Sequence, residues 1–101
     1  MADKYKLRYL PAAYDDLVSI FDWIANDYPA KAAEFVSELD KRAGALGSHP
    51  FLGRIPRDEK LKNAGYRVLI IESFIVFYVV RGKTVEIHRV VHCSRNLDDM
   101  I

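Results

Sequence analysis

The sequence predicts an α+β fold of order β-α-α-β-β-β, an N-terminal helical hairpin packed on an antiparallel sheet. Three observations carry that reading. Between Pro11 and Leu46 apolar residues recur at helical spacing, with a break at Pro29. From Tyr66 onward Val, Ile, Tyr and Phe dominate, and only two-residue gaps interrupt them. A single short alternating segment precedes the helices. A helical pair with one apolar stripe each, laid on one face of a sheet, makes a two-layer domain.

The elements follow in order. Tyr5-Lys6-Leu7-Arg8-Tyr9-Leu10 alternates, with Tyr5, Leu7 and Tyr9 on one face, and reads as a strand. Pro11 suits the first turn of a helix, where no backbone N–H is needed. Leu17, Ile20, Phe21, Ile24 and Tyr28 recur at the spacing of one helical face and are the expected inward set. Asp15, Ser19, Asp22 and Asn26 fall opposite them, and Pro29 ends the run. A second helix fits Ala30 to Leu46, with Ala32, Phe35, Leu39, Ala43 and Leu46 inward and Gly47 as C-terminal cap. So short a link predicts an antiparallel hairpin.

Ser48 to Ala64 holds turn residues without a sustained period and reads as a loop. Tyr66 to Ile71, Phe74 to Arg81 and Thr84 to Val91 are strands. Glu72-Ser73 and Gly82-Lys83 are hairpin turns, the second with glycine first as a type II′ turn prefers. Val85, Ile87 and Val90 share a face only if a bulge falls near His88-Arg89. Residues 94–101 are open between a helical turn and loose chain.

Composition narrows the class. A chain of 101 residues, 50% hydrophobic and 29% charged, fits one globular domain over 1–101. No apolar run reaches the roughly 18 residues that span a bilayer, and the first residues lack a signal-peptide core, so a cytoplasmic protein without membrane contact is expected. The net charge of +1 divides into −2 over residues 1–50 and +3 over 51–101. That is too mild to diagnose a nucleic-acid-binding domain by composition. A single cysteine, Cys93, excludes an internal disulfide and a cysteine-rich zinc site. With no phosphate-binding loop, dinucleotide fingerprint or metal-ligand spacing, neither a cofactor nor a metal is expected. The carboxylates Asp15, Asp16, Asp22, Asp27, Glu34 and Glu38 read as a solvated helix face.

Several local signatures occur in one order. They are Tyr9 through Leu17 at the strand-to-helix passage, Pro29 with Ala32-Ala33-Glu34-Phe35, and the Leu46 to Arg54 turn with Pro50, Gly53 and Arg54. Gly65-Tyr66-Arg67-Val68-Leu69, Val76-Phe77-Tyr78-Val79-Val80 and Val85-Glu86-Ile87 follow, then Val90-Val91-His92-Cys93-Ser94-Arg95-Asn96-Leu97. Taken together the set resembles the RelE/ParE toxin superfamily of type II toxin–antitoxin systems over nearly the whole chain, its ParE-like branch above all. The resemblance implies a toxin of plasmid-stabilisation type that inhibits growth and is neutralised by a cognate antitoxin. ParE-like members poison DNA gyrase by protein–protein contact, whereas RelE-like members cut mRNA in the ribosome.

Which branch applies depends on a few positions. Metal-independent RNA cleavage needs a base, an acid and a cation for the phosphorane. The arginine that RelE-like nucleases place before the tyrosine of the third strand falls on Ile75, and no aromatic residue follows Tyr78. Those absences point away from an enzyme. What remains as catalytic candidates is His92 as acid or base with Arg67, Arg81 or Arg95 to hold phosphate. The competing reading makes His92 a strand-end structural residue and pairs Arg95 with a carboxylate. His88, Arg89 and the loop cations Arg54, Arg57, Lys60 and Lys62 read as solvated surface, or as RNA-phosphate contacts under the nuclease alternative.

Candidates for antitoxin or target contact are Val18, Trp23, Arg54 and Arg57. Trp23 lies off the apolar stripe between Asp16 and Asp27, where an indole marks a contact surface or folds over the 48–56 loop. Three readings stay open: a ParE-like toxin acting by contact, a ribosome-dependent endoribonuclease, and a non-toxic antitoxin-binding module.

Overall fold

The computed structural model describes residues 4–93; Arg95 and the tail from Ser94 onward lie outside the described residues. Helix α1 spans Pro11–Asp27 and α2 spans Pro29–Gly44, each with proline in its first turn. Tyr28 alone links them, so the two pack as the expected hairpin. All five inward residues of α2 and its extension, Ala32, Phe35, Leu39, Ala43 and Leu46, are buried. The C-terminal end differs from expectation. Ala45–Gly47 forms a 3-10 turn, and Gly47 is not a left-handed cap. Its carbonyl instead accepts the Tyr5 N–H at 2.7 Å, tying the start of the chain beneath the helix.

Four strands, β1 (Lys6–Tyr9), β2 (Tyr66–Ile71), β3 (Phe74–Arg81) and β4 (Thr84–His92), form one sheet in the order β1-β4-β3-β2. The α+β class and the β-α-α-β-β-β order hold. The sheet is mixed rather than wholly antiparallel, because β1 runs parallel to β4. Alternation in a sequence tells which side chains share a face; it does not tell which strand lies alongside, or in which direction. The β3–β4 register slips at Phe77/Tyr78, so that Phe77 faces Arg89 and Tyr78 faces Ile87 with His88 as the extra residue. This is the expected bulge, and it returns Val90 to the core beside Ile87. Gly82 takes a φ of 58° and Lys83 does not follow it into positive φ, as a type II′ turn requires. Glu72 opens the other hairpin turn at a φ of 55°, a left-handed conformation that costs an L-residue about 1 kcal/mol.

The main core lies between the hairpin and one sheet face, with Val76, Tyr78, Val85, Ile87 and Leu39 at its centre. A smaller cluster of Leu61, Phe77 and Val91 occupies the other face. Leu61 reaches it from α3 (Glu59–Asn63), a short helix within the segment expected to be loop. The Asp58 carboxylate caps α3 by accepting the Leu61 N–H at 3.0 Å. One turn of helix is too short to show a period, which is why its sequence reads as irregular.

Candidate functional site

The apolar residues of α1 resolve into two stripes, not one. Ala13, Leu17, Ile20 and Ile24 face the core. Tyr14, Val18, Phe21 and Ala25 repeat at 4-3-4 spacing, the pattern of a helix–helix seam, and Tyr28 follows just past the helix in a non-helical conformation. Four of these, Tyr14, Val18, Phe21 and Tyr28, are exposed. The expectation that Phe21 and Tyr28 face inward fails: the stripe of Phe21 overlaps the core stripe on a helical wheel and the sheet covers only one of the two, while Tyr28 leaves the helical path at a φ of −139°. Phe21 and Leu17 line a groove of about 410 Å³ whose opposite wall is Ala33, Val36 and Asp40 of α2, with Tyr9 beneath.

Tyr9 is unusual within that groove. Its hydroxyl is buried and has no hydrogen-bond partner among the described residues. Burial first, and the nearby charge of Asp40 second, push its pKa up to about 12. The neutral phenol is held in the fold while an unfolded chain ionises near 10. Stability is therefore full below about pH 10 and falls as pH rises towards 12. Tyr9→Phe is expected to remove that alkaline loss and to gain about 1 kcal/mol at neutral pH, since it deletes an unsatisfied hydroxyl. Urea titrations of both proteins at neutral and alkaline pH check this; a destabilised Phe variant would mean the hydroxyl has a partner after all.

The catalytic candidates do not converge. His92 ends β4 and packs edge-on to Phe74, with ring centroids 5.3 Å apart. Arg81 lies at the far end of β3, opposite Thr84, whereas Phe74 is opposite His92. Seven residues of strand, roughly 23 Å, separate the two. Arg81 is held by Glu86 at 2.9 Å. Arg67 lies opposite Tyr78, and its guanidinium binds the carbonyls of Phe51 and Gly53 at 3.3 and 2.9 Å and stacks over the Phe51 ring. It fastens a loop. Arg95 lies outside the described residues.

The contact candidates divide as well. Val18 belongs to the exposed seam. Trp23 is 70% exposed, so it does not fold over the 48–56 loop; it projects from the flank of α1 away from the seam. Arg54 joins the sheet by an isolated bridge, exchanging backbone hydrogen bonds of 2.8 Å with Val68. Its side chain and that of Arg57 are exposed.

Two expectations of solvated charge fail. Arg89 and Asp16 form a two-pronged ion pair at 2.7 and 3.0 Å, and the Asp16 carboxylate also accepts the Val90 N–H at 2.9 Å. Asp16 hydrogen bonds hold the Arg89 guanidinium still further above its ordinary range. These side chains lie 73 positions apart in the chain, so no local spacing announces them. His88 is likewise engaged: its Nδ1 meets the Tyr66 hydroxyl at 2.9 Å and its Nε2 meets Glu86 at 3.4 Å. Among the described residues no group of metal-binding side chains gathers, and no helix is long and apolar enough to cross a membrane.

Comparison with known proteins supplies the context for this geometry. The profile of the family described as ParE toxin of type II toxin–antitoxin system, parDE, matches residues 7–97. Among solved structures, the chromosomal ParDE toxin–antitoxin system of P. aeruginosa superposes with a TM-score of 0.75 at 24% identity, over 90% of this chain and 98% of that one. The RelBE2 toxin–antitoxin complex of Mycobacterium tuberculosis gives 0.62 at 25% identity, over 88% and 98%. The HP0894 protein of Helicobacter pylori gives 0.57 at 15% identity, over 90% and 97%. No curated protein matches in sequence.

Proposed function

The chain belongs to the ParE toxin family of type II toxin–antitoxin systems, and from that premise we propose that it inhibits growth by protein–protein contact, with DNA gyrase as target and a cognate antitoxin as inhibitor. The observation that carries the antitoxin half is the exposed seam of Tyr14, Val18, Phe21 and Tyr28 beside the α1–α2 groove. A solvent-exposed helix has no use for a second apolar stripe unless another chain covers it. An amphipathic segment laid along the hairpin matches the 4-3-4 spacing of Tyr14, Val18, Phe21 and Ala25. Helix α1 carries Asp15, Asp16, Asp22 and Asp27 and no cation, so the covering segment is expected to flank its apolar residues with Lys or Arg. Contact rather than cleavage fits the dispersal of His92, Arg67 and Arg81 and the aliphatic Ile75. Gyrase as the target rests on family membership.

Expression with and without the neighbouring antitoxin reading frame tests the reading, together with a purified supercoiling assay. Growth arrest, relieved by the antitoxin and accompanied by loss of supercoiling, is the expected result. Arrest with supercoiling untouched would remove gyrase while sparing the toxin. Val18→Glu combined with Phe21→Glu is expected to keep toxicity and weaken antitoxin binding at least about 30-fold, the scale of a hot-spot loss. Antitoxin binding that survives this double change would move its seat away from the seam.

A further inference from the structure

Nine large apolar side chains are exposed among the described residues, and they fall into two sets. Five belong to α1 or to Tyr28 just after it. The other four are Phe51, Leu52, Ile55 and Ile70, the first three more than half exposed. All four border the outer edge of β2. Arg54 is bridged to Val68 there, and antiparallel continuation by two residues brings Leu52 abreast of Ile70. The Phe51 ring lies against the Arg67 guanidinium, 5.0 Å from its centroid. Single exposed apolar residues need no explanation, but four at one edge form a patch of the kind that another molecule covers.

The patch is rigid and cationic. Gly53 donates its N–H to the Tyr78 hydroxyl at 2.8 Å, Arg54 and Val68 exchange backbone bonds, and Arg67 holds the Phe51 and Gly53 carbonyls. Pro56 is buried just beyond. A loop fixed in this way presents its apolar side chains with little left to order on binding. Residues 48–67 carry five Lys/Arg against two Asp/Glu, a net of +3 on a chain whose net charge is +1. One of those two carboxylates, Asp58, caps α3. Arg54 and Arg57 are exposed, and Arg42 reaches the same edge from α2, donating to the Ile70 carbonyl at 3.2 Å. Helix α1 has the opposite character, with four aspartates and no cation, so one covering segment does not suit both surfaces.

We propose that the β2 edge is the surface on which the toxin grips its protein target, by an acidic segment of that target which seats apolar side chains against Phe51, Leu52 and Ile55 and sets carboxylates on Arg54 and Arg57. The inference rests on the reading that the chain acts by protein contact, and adds where on the chain that contact is made. Opposite charge steers the encounter and rejects wrong partners, while the apolar centre supplies affinity. A nucleic acid would use the cations and leave Leu52 and Ile55 wet. A lipid surface would use the cations too, but its hold grows with the apolar area inserted, and three side chains offer little. Guarding the sheet edge is a separate duty. The Arg54 backbone already performs it at Val68, and exposed apolar residues would defeat it.

The experiment expresses the full chain from a titratable promoter and reads the inducer dose for half-maximal growth arrest at matched protein level. Antitoxin affinity and a circular dichroism melt accompany each variant. Phe51→Ser with Ile55→Ser and, separately, Arg54→Glu with Arg57→Glu are each expected to raise that dose at least about tenfold, with antitoxin affinity kept within about threefold. Lys6→Glu with Arg8→Glu, the same charge change on β1, is expected to stay within about twofold. Leu52→Ser replaces the Phe51 pair if the melt shows that pair unfolded. Arrest at the parent's dose by both β2-edge pairs overturns the proposal, as does an equal loss in the β1 pair. Loss confined to one pair overturns it as well: arginines alone are the mark of a phosphate contact, and apolar residues alone leave no acidic partner. Antitoxin affinity that falls in step with arrest, or sedimentation of the parent with phosphatidylglycerol vesicles, would give the edge to another partner and overturn it. A parent that arrests nothing removes the toxin reading and the proposal together. Arrest with supercoiling untouched removes gyrase alone, and the variant doses still decide the surface.

Discussion

Gly53→Ala is expected to destabilise the protein by about 3 kcal/mol, the upper end of what overpacking costs. A Cβ on Gly53 would stand 2.6 Å from the Tyr78 hydroxyl, 2.7 Å from its ring carbon Cε1 and 2.7 Å from the Val68 carbonyl. None of the three can retreat cheaply. Tyr78 is fully buried, its hydroxyl accepts the Gly53 N–H at 2.8 Å, and the Val68 carbonyl accepts the Arg54 N–H. The glycine has ordinary backbone angles; space alone demands it. Relieving the overlap means lifting the 51–54 segment off β2, which also breaks the Arg67 bonds to Phe51 and Gly53. In thermal unfolding the midpoint should fall by roughly 12 °C or more. Tyr78→Phe in the same background removes the hydroxyl but leaves the ring carbon and the carbonyl, so it should rescue only part of the loss. A midpoint within about 3 °C of the parent would show that the loop relaxes freely and that the close approach is incidental.

Asp16→Ala is expected to cost about 2–3 kcal/mol. The change removes both bonds to Arg89 and the acceptor of the Val90 N–H at once. Breaking a buried pair from one side costs about 3–5 kcal/mol; here the Arg89 side chain is 30% exposed and its guanidinium regains some water, which brings the loss below that range. Asp16→Asn keeps an acceptor for Val90 and discards the charge, and about half the effect should remain. Urea denaturation of the three proteins measures both. A loss under about 0.5 kcal/mol for the alanine variant would class the pair with ordinary surface salt bridges.

Much of this architecture was legible in the residues. Spacing of 3 and 4 located both helices, Pro11 marked the start of the first and Pro29 the break between them, and the slip of alternation between Ile87 and Val90 located the bulge at His88. What escaped were relations between distant parts. Asp16 looks like a polar helix position because its partner lies at the other end of the chain. The parallel union of β1 with β4 escaped for the same reason, since a period of two specifies faces and not neighbours. Gly53 gives no sign in sequence that a tyrosine hydroxyl presses on it.

The candidate site shows a different limit. Tyr14, Val18, Phe21, Ala25 and Tyr28 stand in the sequence at seam spacing, yet Phe21 and Tyr28 also satisfy the template of the core face. One helix with two adjacent apolar stripes reads as one wide stripe until the sheet is seen to cover only half of it. Arg67, by contrast, was a reasonable phosphate ligand by type and position. The loop that turned over it took its donors.

The placement of β1 beside β4 bears on how the molecule assembles. The β2–β3 and β3–β4 hairpins need only two-residue turns, and α1 and α2 meet across one residue, so those units can form from neighbouring chain. Lys6 cannot find Thr84 until nearly all of the described chain has come together. Among the described pairings that closure carries the largest loop entropy, and folding rates fall as such distant pairings gain weight. Closing the first strand against the last is therefore the expected slow step, and the Asp16–Arg89 clasp just beyond their junction would secure the join once made.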